Sequence, residues 1–155
     1  MRKQYVTFGV MALILALATS VSAQNTNPRF GRWKIKSDAP PPSSNIMTYE
    51  AWGEKGMKVT IDAVNAKGEK TQWFYFTNFD GKDMPVTGQA PGQTSSVQPI
   101  SPLVNMIANK RDGKMTQLLT NVLSPDGDTI GVIYMRDDGS GKTTGVTFAT
   151  YERIK

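Results

Sequence analysis

The chain of 155 residues contains neither cysteine nor histidine. Without cysteine it forms no disulfide bond, so the folded domain must be held together by its core and its hydrogen bonds. The usual ligands of zinc, copper and haem iron are missing, as are a Ser-His-Asp triad and a cysteine nucleophile. The composition argues against most common enzyme chemistries, and we predict no metal site, no cofactor and no catalytic residue.

The chain also has little net charge, with 18 basic and 13 acidic residues and a formal charge of +5. Two of the positive charges, Arg2 and Lys3, belong to an N-terminal segment without acidic residues, so the remainder carries +3. The densest basic cluster is "NKRDGK" (109–114), which has the composition of a hairpin turn. A nucleic-acid interface needs a basic stripe with interleaved aromatic residues. We therefore predict no nucleic-acid partner.

A long hydrophobic run occurs near the N-terminus. Arg2 and Lys3 precede the apolar segment Val10–Ala18, and "VSAQ" offers a small-x-small cleavage site after Ala23. The apolar segment is shorter than the roughly 20 residues that a spanning helix needs, and no cysteine follows it to carry a lipid. We predict that residues 1–23 are a cleaved Sec-type signal peptide of a periplasmic or secreted bacterial protein without a stable membrane anchor. The alternative is an uncleaved anchor.

The rest of the chain has the period of β-strands. Residues 24–30 form a polar leader, which we expect to be flexible. Beyond it, apolar and polar residues alternate, as in "MKVTIDAV" (57–64), and turn sequences rich in glycine and aspartate follow at regular intervals. The exception is the Pro-, Gly- and Ser-rich stretch 86–103, which we predict to be a long connection with one short strand near "SSVQPI".

This pattern predicts one all-β domain over residues 31–155. About eight to ten antiparallel strands joined by hairpins must hide the edges of their sheet, and closing into an up-and-down barrel is the usual solution. A β-sandwich is the alternative, but that topology prefers longer crossover connections than these turns provide.

A Gly-x-Trp motif, Gly31 and Trp33, stands at the start of the first predicted strand. In an all-β meander this motif resembles the signature of the lipocalin or calycin barrels. The resemblance implies that Trp33 closes one end of the barrel and that a basic residue from the last strand stacks on it. Arg153, in "YERIK", is placed for that role, and a guanidinium over an indole contributes about 0.5–2 kcal/mol.

A second resemblance covers residues 31–87. "GRWKIK", "TYE" (48–50) and "DGKDMPVTG" (80–88) are similar to a family of small exported bacterial proteins with no established activity. The Ser-Lys pair that often follows the first strand in that family is replaced by "KSDA" here. The C-terminal half matches chiefly in the spacing of its strand and turn segments and ends in "YE" (151–152). The resemblance implies an exported lipocalin-like barrel and carries no catalytic residue over.

Aromatic residues provide the candidate ligand site. In the predicted strand "TQWFYFTNF" (71–79), Trp73 and Tyr75 share one face, and Phe74 and Phe76 share the other. One pair must line the interior, while the other lies outside or under the 86–103 connection. Plain core packing is one explanation of the inner pair, and a ligand cavity is the other. The candidate ligand-binding residues are Tyr49, Trp52, Trp73, Phe74, Tyr75 and Phe76.

Three functions remain open from the sequence. The first is an exported binding protein that takes a small apolar or amphipathic ligand into the barrel. The second is an envelope structural or interaction protein with a filled core and an outer aromatic patch. The third, disfavoured by the absence of His and Cys, is an enzyme that uses carboxylates inside a cavity. The turn aspartates, such as Asp126 and Asp138, are explained by turn geometry without Ca²⁺. No pattern indicates an oligomeric state.

Overall fold

The computed structural model describes residues 27–155. The predicted signal peptide, residues 1–23, and the start of the leader lie outside the described residues. Within 27–155 there are ten β-strands and no helix, so no helix of this part of the chain is long and apolar enough to cross a membrane. The strands are β1 (Gly31–Ile35), β2 (Ser44–Trp52), β3 (Gly56–Val64), β4 (Lys70–Thr77), β5 (Met84–Pro85), β6 (Gln93–Ser101), β7 (Val104–Arg111), β8 (Lys114–Leu123), β9 (Thr129–Asp137) and β10 (Thr143–Arg153).

All ten strands belong to one antiparallel sheet in the order β4-β3-β2-β1-β10-β9-β8-β7-β6-β5. The sheet curls until its two ends meet between β4 and the segment that follows β5. There Phe74 N donates to the Thr87 carbonyl oxygen and Thr87 N donates to the Phe74 carbonyl oxygen, each at 2.9 Å. The nearly closed barrel confirms the prediction of an antiparallel up-and-down barrel, and the alternative of a two-sheet sandwich is not formed.

The alternation of side chains decides what enters the barrel. On β3, Met57, Val59 and Ile61 point inward and are almost fully buried, whereas Lys58 and Asp62 point to the outer face and are partly exposed. Because successive side chains of a strand point to opposite faces, the period-two pattern of the sequence becomes an apolar interior and a polar exterior. The core of the domain is therefore the inside of the barrel.

The two ends of the barrel differ. The connections β1–β2, β3–β4, β7–β8 and β9–β10 lie at one end, which we call the mouth. The other end, which we call the closed end, is covered by residues 27–30, the last part of the predicted leader. Arg29 in this segment is only 3% exposed. The segment is held by hydrogen bonds together with the packing of Phe30 against the core, and one apolar residue makes no recognisable period in the sequence.

Trp33 closes this end. Its indole is fully buried, and its Nε1 donates to the Arg29 carbonyl oxygen at 2.9 Å. The Arg153 guanidinium carbon lies 4.1 Å from the centroid of the Trp33 ring. Arg153 also donates from Nη1 and Nη2 to the carbonyl oxygens of Phe30 and Pro28, at 2.8 and 2.6 Å. One guanidinium thus joins the last strand, the indole and the covering segment.

Gly31 leaves the space that this guanidinium occupies. Its φ is +130°, and a Cβ built on it would lie 2.9 Å from Arg153 Nη1. A residue with a side chain would be strained in this backbone conformation and would also push the guanidinium off its carbonyl acceptors. The glycine of the Gly-x-Trp motif is therefore required by the stacking of Arg153 on Trp33.

The stretch 86–103 is more regular than the sequence predicts. It contains the nine-residue strand β6, preceded by the two-residue β5. Its polar residues still enter the barrel wall: Ser95 is 2% exposed, and its Oγ donates to Asn109 Oδ1 at 2.7 Å. A buried hydroxyl is tolerated when it has a hydrogen-bond partner, and this partner, on β7, cannot be recognised from the local sequence.

We expect Arg153→Ala to lower the free energy of unfolding by about 2–4 kcal/mol, because the stacking on Trp33 is lost together with the hydrogen bonds to the carbonyl oxygens of Pro28 and Phe30. Urea denaturation measures the change. Lys155→Ala is the matched control: Lys155 also lies near Asp128, at 3.7 Å, but is well exposed, so its replacement should leave the stability close to that of the wild type. Equal stability of both variants would contradict the closing role of Arg153.

Candidate ligand-binding cavity

An internal cavity of about 180 Å³ lies inside the barrel. Its wall combines aliphatic side chains with one tryptophan, four tyrosines and four amide side chains. The aliphatic part comes from β2, β3 and β7–β9. The tyrosines are Tyr49, Tyr75, Tyr134 and Tyr151, and the amides are Asn45, Asn109, Gln117 and Asn121.

A second pocket, of about 310 Å³, lies toward the mouth. It shares Trp73, Asn109 and Gln117 with the inner cavity, so the two spaces adjoin at these three residues. Its other walls are mostly polar and include the basic side chains Lys110 and Arg136. The barrel thus contains a graded space, with a largely apolar inner part and a polar outer part.

Three of the six candidate ligand-binding residues line the inner cavity. Tyr49 on β2 and Tyr75 on β4 are 4% exposed, and Trp73 on β4 is partly buried where the inner cavity adjoins the mouth pocket. The strand period placed Trp73 and Tyr75 on a common face, and the structure shows that this face is the inner one. Apart from Trp73, the aromatic part of this wall consists of rings that carry a hydroxyl group.

The other three candidates lie outside the cavity, because they occupy the alternate positions of the same two strands. Trp52 on β2 is 37% exposed and packs on Phe76 with ring centroids 4.7 Å apart. The ring centroids of Phe74 and Phe76 lie 5.7 Å apart, and Lys58 Nζ lies 5.0 Å from the centroid of the Phe74 ring. Trp52, Phe74 and Phe76 form a contiguous outer aromatic cluster and do not contact the inner cavity.

Several polar cavity residues were missed by the sequence reasoning. Asn109 accepts a hydrogen bond from Ser95 and donates from Nδ2 to Gln117 Oε1 at 3.1 Å, which joins β6, β7 and β8. Asn121 and Arg29 at the closed end belong to a further chain of hydrogen bonds. The available signal was the spacing of Asn105, Ile107 and Asn109, which puts polar residues on the same strand face as a core isoleucine.

Burial raises the pKa of all four cavity tyrosines above the ordinary value of a phenol, and it is the largest cause in each case. The hydroxyl groups of Tyr134 and Tyr151 lie 3.1 Å apart and share a hydrogen bond. The Asn121 amide donates to the Tyr49 hydroxyl at 3.2 Å. The phenols therefore stay neutral at physiological pH and offer hydrogen-bond donors to the inside of the barrel.

The described part of the chain contains no cluster of three or more His, Cys, Asp or Glu residues that could hold a metal ion. The turn aspartates accept hydrogen bonds from residues of their own turns. Ser124 Oγ donates to Asp126 Oδ1 at 2.5 Å, and this bond is the main reason why the pKa of Asp126 is lowered. Ser140 Oγ donates to Asp138 Oδ1 at 2.6 Å in the same manner. These carboxylates shape their own turns.

The tyrosines give a pH prediction. Below about pH 10 phenols are neutral in both the folded and the unfolded chain; above it the unfolded chain loses protons first, so the free energy of unfolding falls as the pH rises. The Tyr5→Phe variant of the full chain keeps only the four cavity tyrosines, so they alone contribute to its phenolate absorbance. Phenolate absorbance should appear together with the loss of near-ultraviolet circular dichroism. A phenolate signal near pH 10 with the dichroism intact would contradict this burial.

No protein-family model matches the chain, and no curated protein sequence matches it. Among solved structures, the fold is similar to that of the fluorescent protein UnaG. The wild-type UnaG structure matches with a TM-score of 0.55 at 17% identity, covering 81% of this chain and 96% of UnaG. Two single-substitution mutants of UnaG match with TM-scores of 0.57 and 0.53, also at 17% identity, covering 83% and 81% of this chain and 97% and 95% of theirs. At this identity the likeness shows the fold, a calycin-like β-barrel.

Proposed function

We propose that this protein is an exported binding protein that takes one small amphipathic ligand into its barrel. The observation that carries the proposal is the graded internal space, in which an inner cavity with apolar and phenolic walls adjoins a polar pocket at the mouth along Trp73, Asn109 and Gln117. Barrels of about eight strands either fill their interior with side chains or hold one small ligand. The space left in this barrel favours the second case.

The inner cavity sets the size of the apolar part of the ligand. An apolar cavity of about 150 Å³ accommodates a benzene ring, and the inner cavity is of similar size, about 180 Å³. One ring or one short alkyl chain therefore fits. The walls that would contact it include Val59, Ile61 and Leu119, each less than 10% exposed, so these packed side chains would lose little freedom when binding removes the ligand's apolar surface from water.

The pocket at the mouth suits a polar continuation of the ligand. Lys110 Nζ is held by both carboxylate oxygens of Asp83 at 2.9 Å, so its charge is largely compensated. Arg136 is exposed at the rim, and none of the ion pairs within 27–155 includes it. The amides of Asn109 and Gln117 add donors and acceptors beside it. Such a wall accepts neutral polar groups as well as anionic ones.

The N-terminal segment supports the location outside the cytoplasm. Residues 1–23 combine a basic start, a short apolar core and a small-x-small cleavage site. We place the mature protein in the bacterial periplasm or in the medium. We assign it no catalytic residue, because the side chains that face the cavity are neutral phenols, amides and hydrocarbons, which bind and orient better than they transfer protons at neutral pH.

Filling the cavity tests the proposal. Ala63 lines the inner cavity, whereas Ala108 lies on the outer face of β7. We expect the wild type to bind 1-octanol, measured by calorimetry or by NMR titration. Ala63→Phe should weaken this binding by about tenfold or more, because the new ring occupies the space of the alkyl chain, and tenfold corresponds to about 1.4 kcal/mol.

Ala108→Phe is the matched control, since it adds the same ring outside the barrel, and its affinity for 1-octanol should stay within about threefold of the wild type. A wild type that binds neither 1-octanol nor sodium octanoate up to their solubility limits would overturn the proposed function. Equal affinities of the Ala63→Phe and Ala108→Phe variants would show that octanol binds elsewhere.

A further inference from the structure

Arg29 is a buried cation without an acidic partner. The residue is 3% exposed, and none of the five ion pairs among residues 27–155 includes it. Its Nη2 finds no hydrogen-bond acceptor in the described chain, and residues 1–26 contain neither Asp nor Glu. Burial lowers its pKa, as expected for a charge removed from water. Such a charge is costly unless an anion compensates it.

A chain of hydrogen bonds leads from this cation to the cavity. Arg29 Nε donates to Asn121 Oδ1 at 3.4 Å, and Asn121 Nδ2 donates to the Tyr49 hydroxyl at 3.2 Å. An arginine side chain only donates, so the amide oxygen of Asn121 must face it and the amide nitrogen must face Tyr49. The oxygen of Tyr49 is then engaged as an acceptor, and its hydrogen is free to point onward.

This chain of hydrogen bonds ends on a poor acceptor. The Tyr49 hydroxyl donates to the thioether sulfur of Met47 at 3.4 Å, and a thioether accepts hydrogen bonds only weakly. Tyr49, Met47 and Asn121 all line the inner cavity. The inner end of the cavity therefore presents a hydroxyl donor that is polarised by a buried positive charge and lacks a strong acceptor.

We propose that the ligand carries a carboxylate at its inner end, which accepts the Tyr49 hydroxyl hydrogen in place of the Met47 sulfur and compensates the charge of Arg29. This inference rests on the proposed function and specifies its ligand as a small monocarboxylate with an apolar body, inserted with the carboxylate toward the closed end. The carboxylate would exchange its hydration for a charge-assisted hydrogen bond in a site of low dielectric constant, where such bonds are strong.

Arg29 also has a structural contact, which the test must separate from ligand binding. Its Nη1 donates to the Pro102 carbonyl oxygen at 3.2 Å, and this bond helps to fasten residues 27–30 to the barrel. It uses one of the guanidinium donors and leaves the charge uncompensated, since a carbonyl carries no net charge. A merely structural Arg29 would change stability alone, without distinguishing an anionic from a neutral ligand.

The experiment compares sodium octanoate with 1-octanol at neutral pH, using the full chain and calorimetric titration. For Tyr49→Phe we expect the affinity for octanoate to fall by about tenfold or more, and the affinity for octanol to change by less than about threefold. Arg29→Gln should show the same selective loss. Arg32→Gln is the control for net charge, because Arg32 is exposed on β1, and it should leave both affinities unchanged.

The outcomes separate the two proposals. If the wild type binds neither probe, the proposed function fails. If it binds both, but Tyr49→Phe and Arg29→Gln weaken both equally or neither, the binding function stands and the carboxylate inference is overturned. Tyr49→Phe keeps the buried ring and decides the question alone if Arg29→Gln does not fold, as judged by its circular dichroism.

Discussion

The burial of the Trp33 indole is the constraint on which the closed end of the barrel depends. A buried indole N–H needs an acceptor, and the Arg29 carbonyl oxygen provides it at 2.9 Å. Arg153 stacks on the ring at 4.1 Å and donates to the carbonyl oxygens on either side of Arg29. The covering segment is thus attached by its backbone, and this attachment carries the Arg29 side chain into the barrel. The same contacts therefore close this end of the barrel and place its buried cation, Arg29.

The barrel interior has two unlike walls. The wall from β3 is aliphatic, with Val59 and Ile61 buried, whereas β6 to β8 add the buried Ser95 and the half-buried Asn109 and Gln117 to aliphatic residues. Ser95, Asn109 and Gln117 hydrogen-bond to one another, which satisfies polar groups that would be costly to bury alone. Both a polar and an apolar surface therefore face the space inside the barrel.

The outer aromatic cluster belongs to the closure of the sheet. Phe74 is the residue that bridges to Thr87, where the two ends of the sheet meet. Its side chain packs against Phe76 and beneath Lys58 on the outer face, and Trp52 completes the cluster. Within residues 27–155, Phe74 and Thr87 are the one pair that bridges β4 to the segment after β5, and the aromatic rings packed beside it add side-chain contacts to this seam. Half of the aromatic candidates thus strengthen the wall rather than line the cavity.

The sequence by itself determined the all-β class, most of the hairpins and the pairing of Trp73 with Tyr75 and of Phe74 with Phe76, because strand periodicity and turn chemistry are local properties. The Gly-x-Trp motif pointed to Gly31 and Trp33, and its resemblance to the lipocalin signature pointed to Arg153, which meets them at one end of the structure. Only the tertiary structure decided which aromatic pair faces inward, because a period of two is the same on either face. It alone brought Arg29, Asn121 and Tyr49 together, since residues 92 and 72 positions apart become neighbours through the closure of the barrel and not through any local pattern.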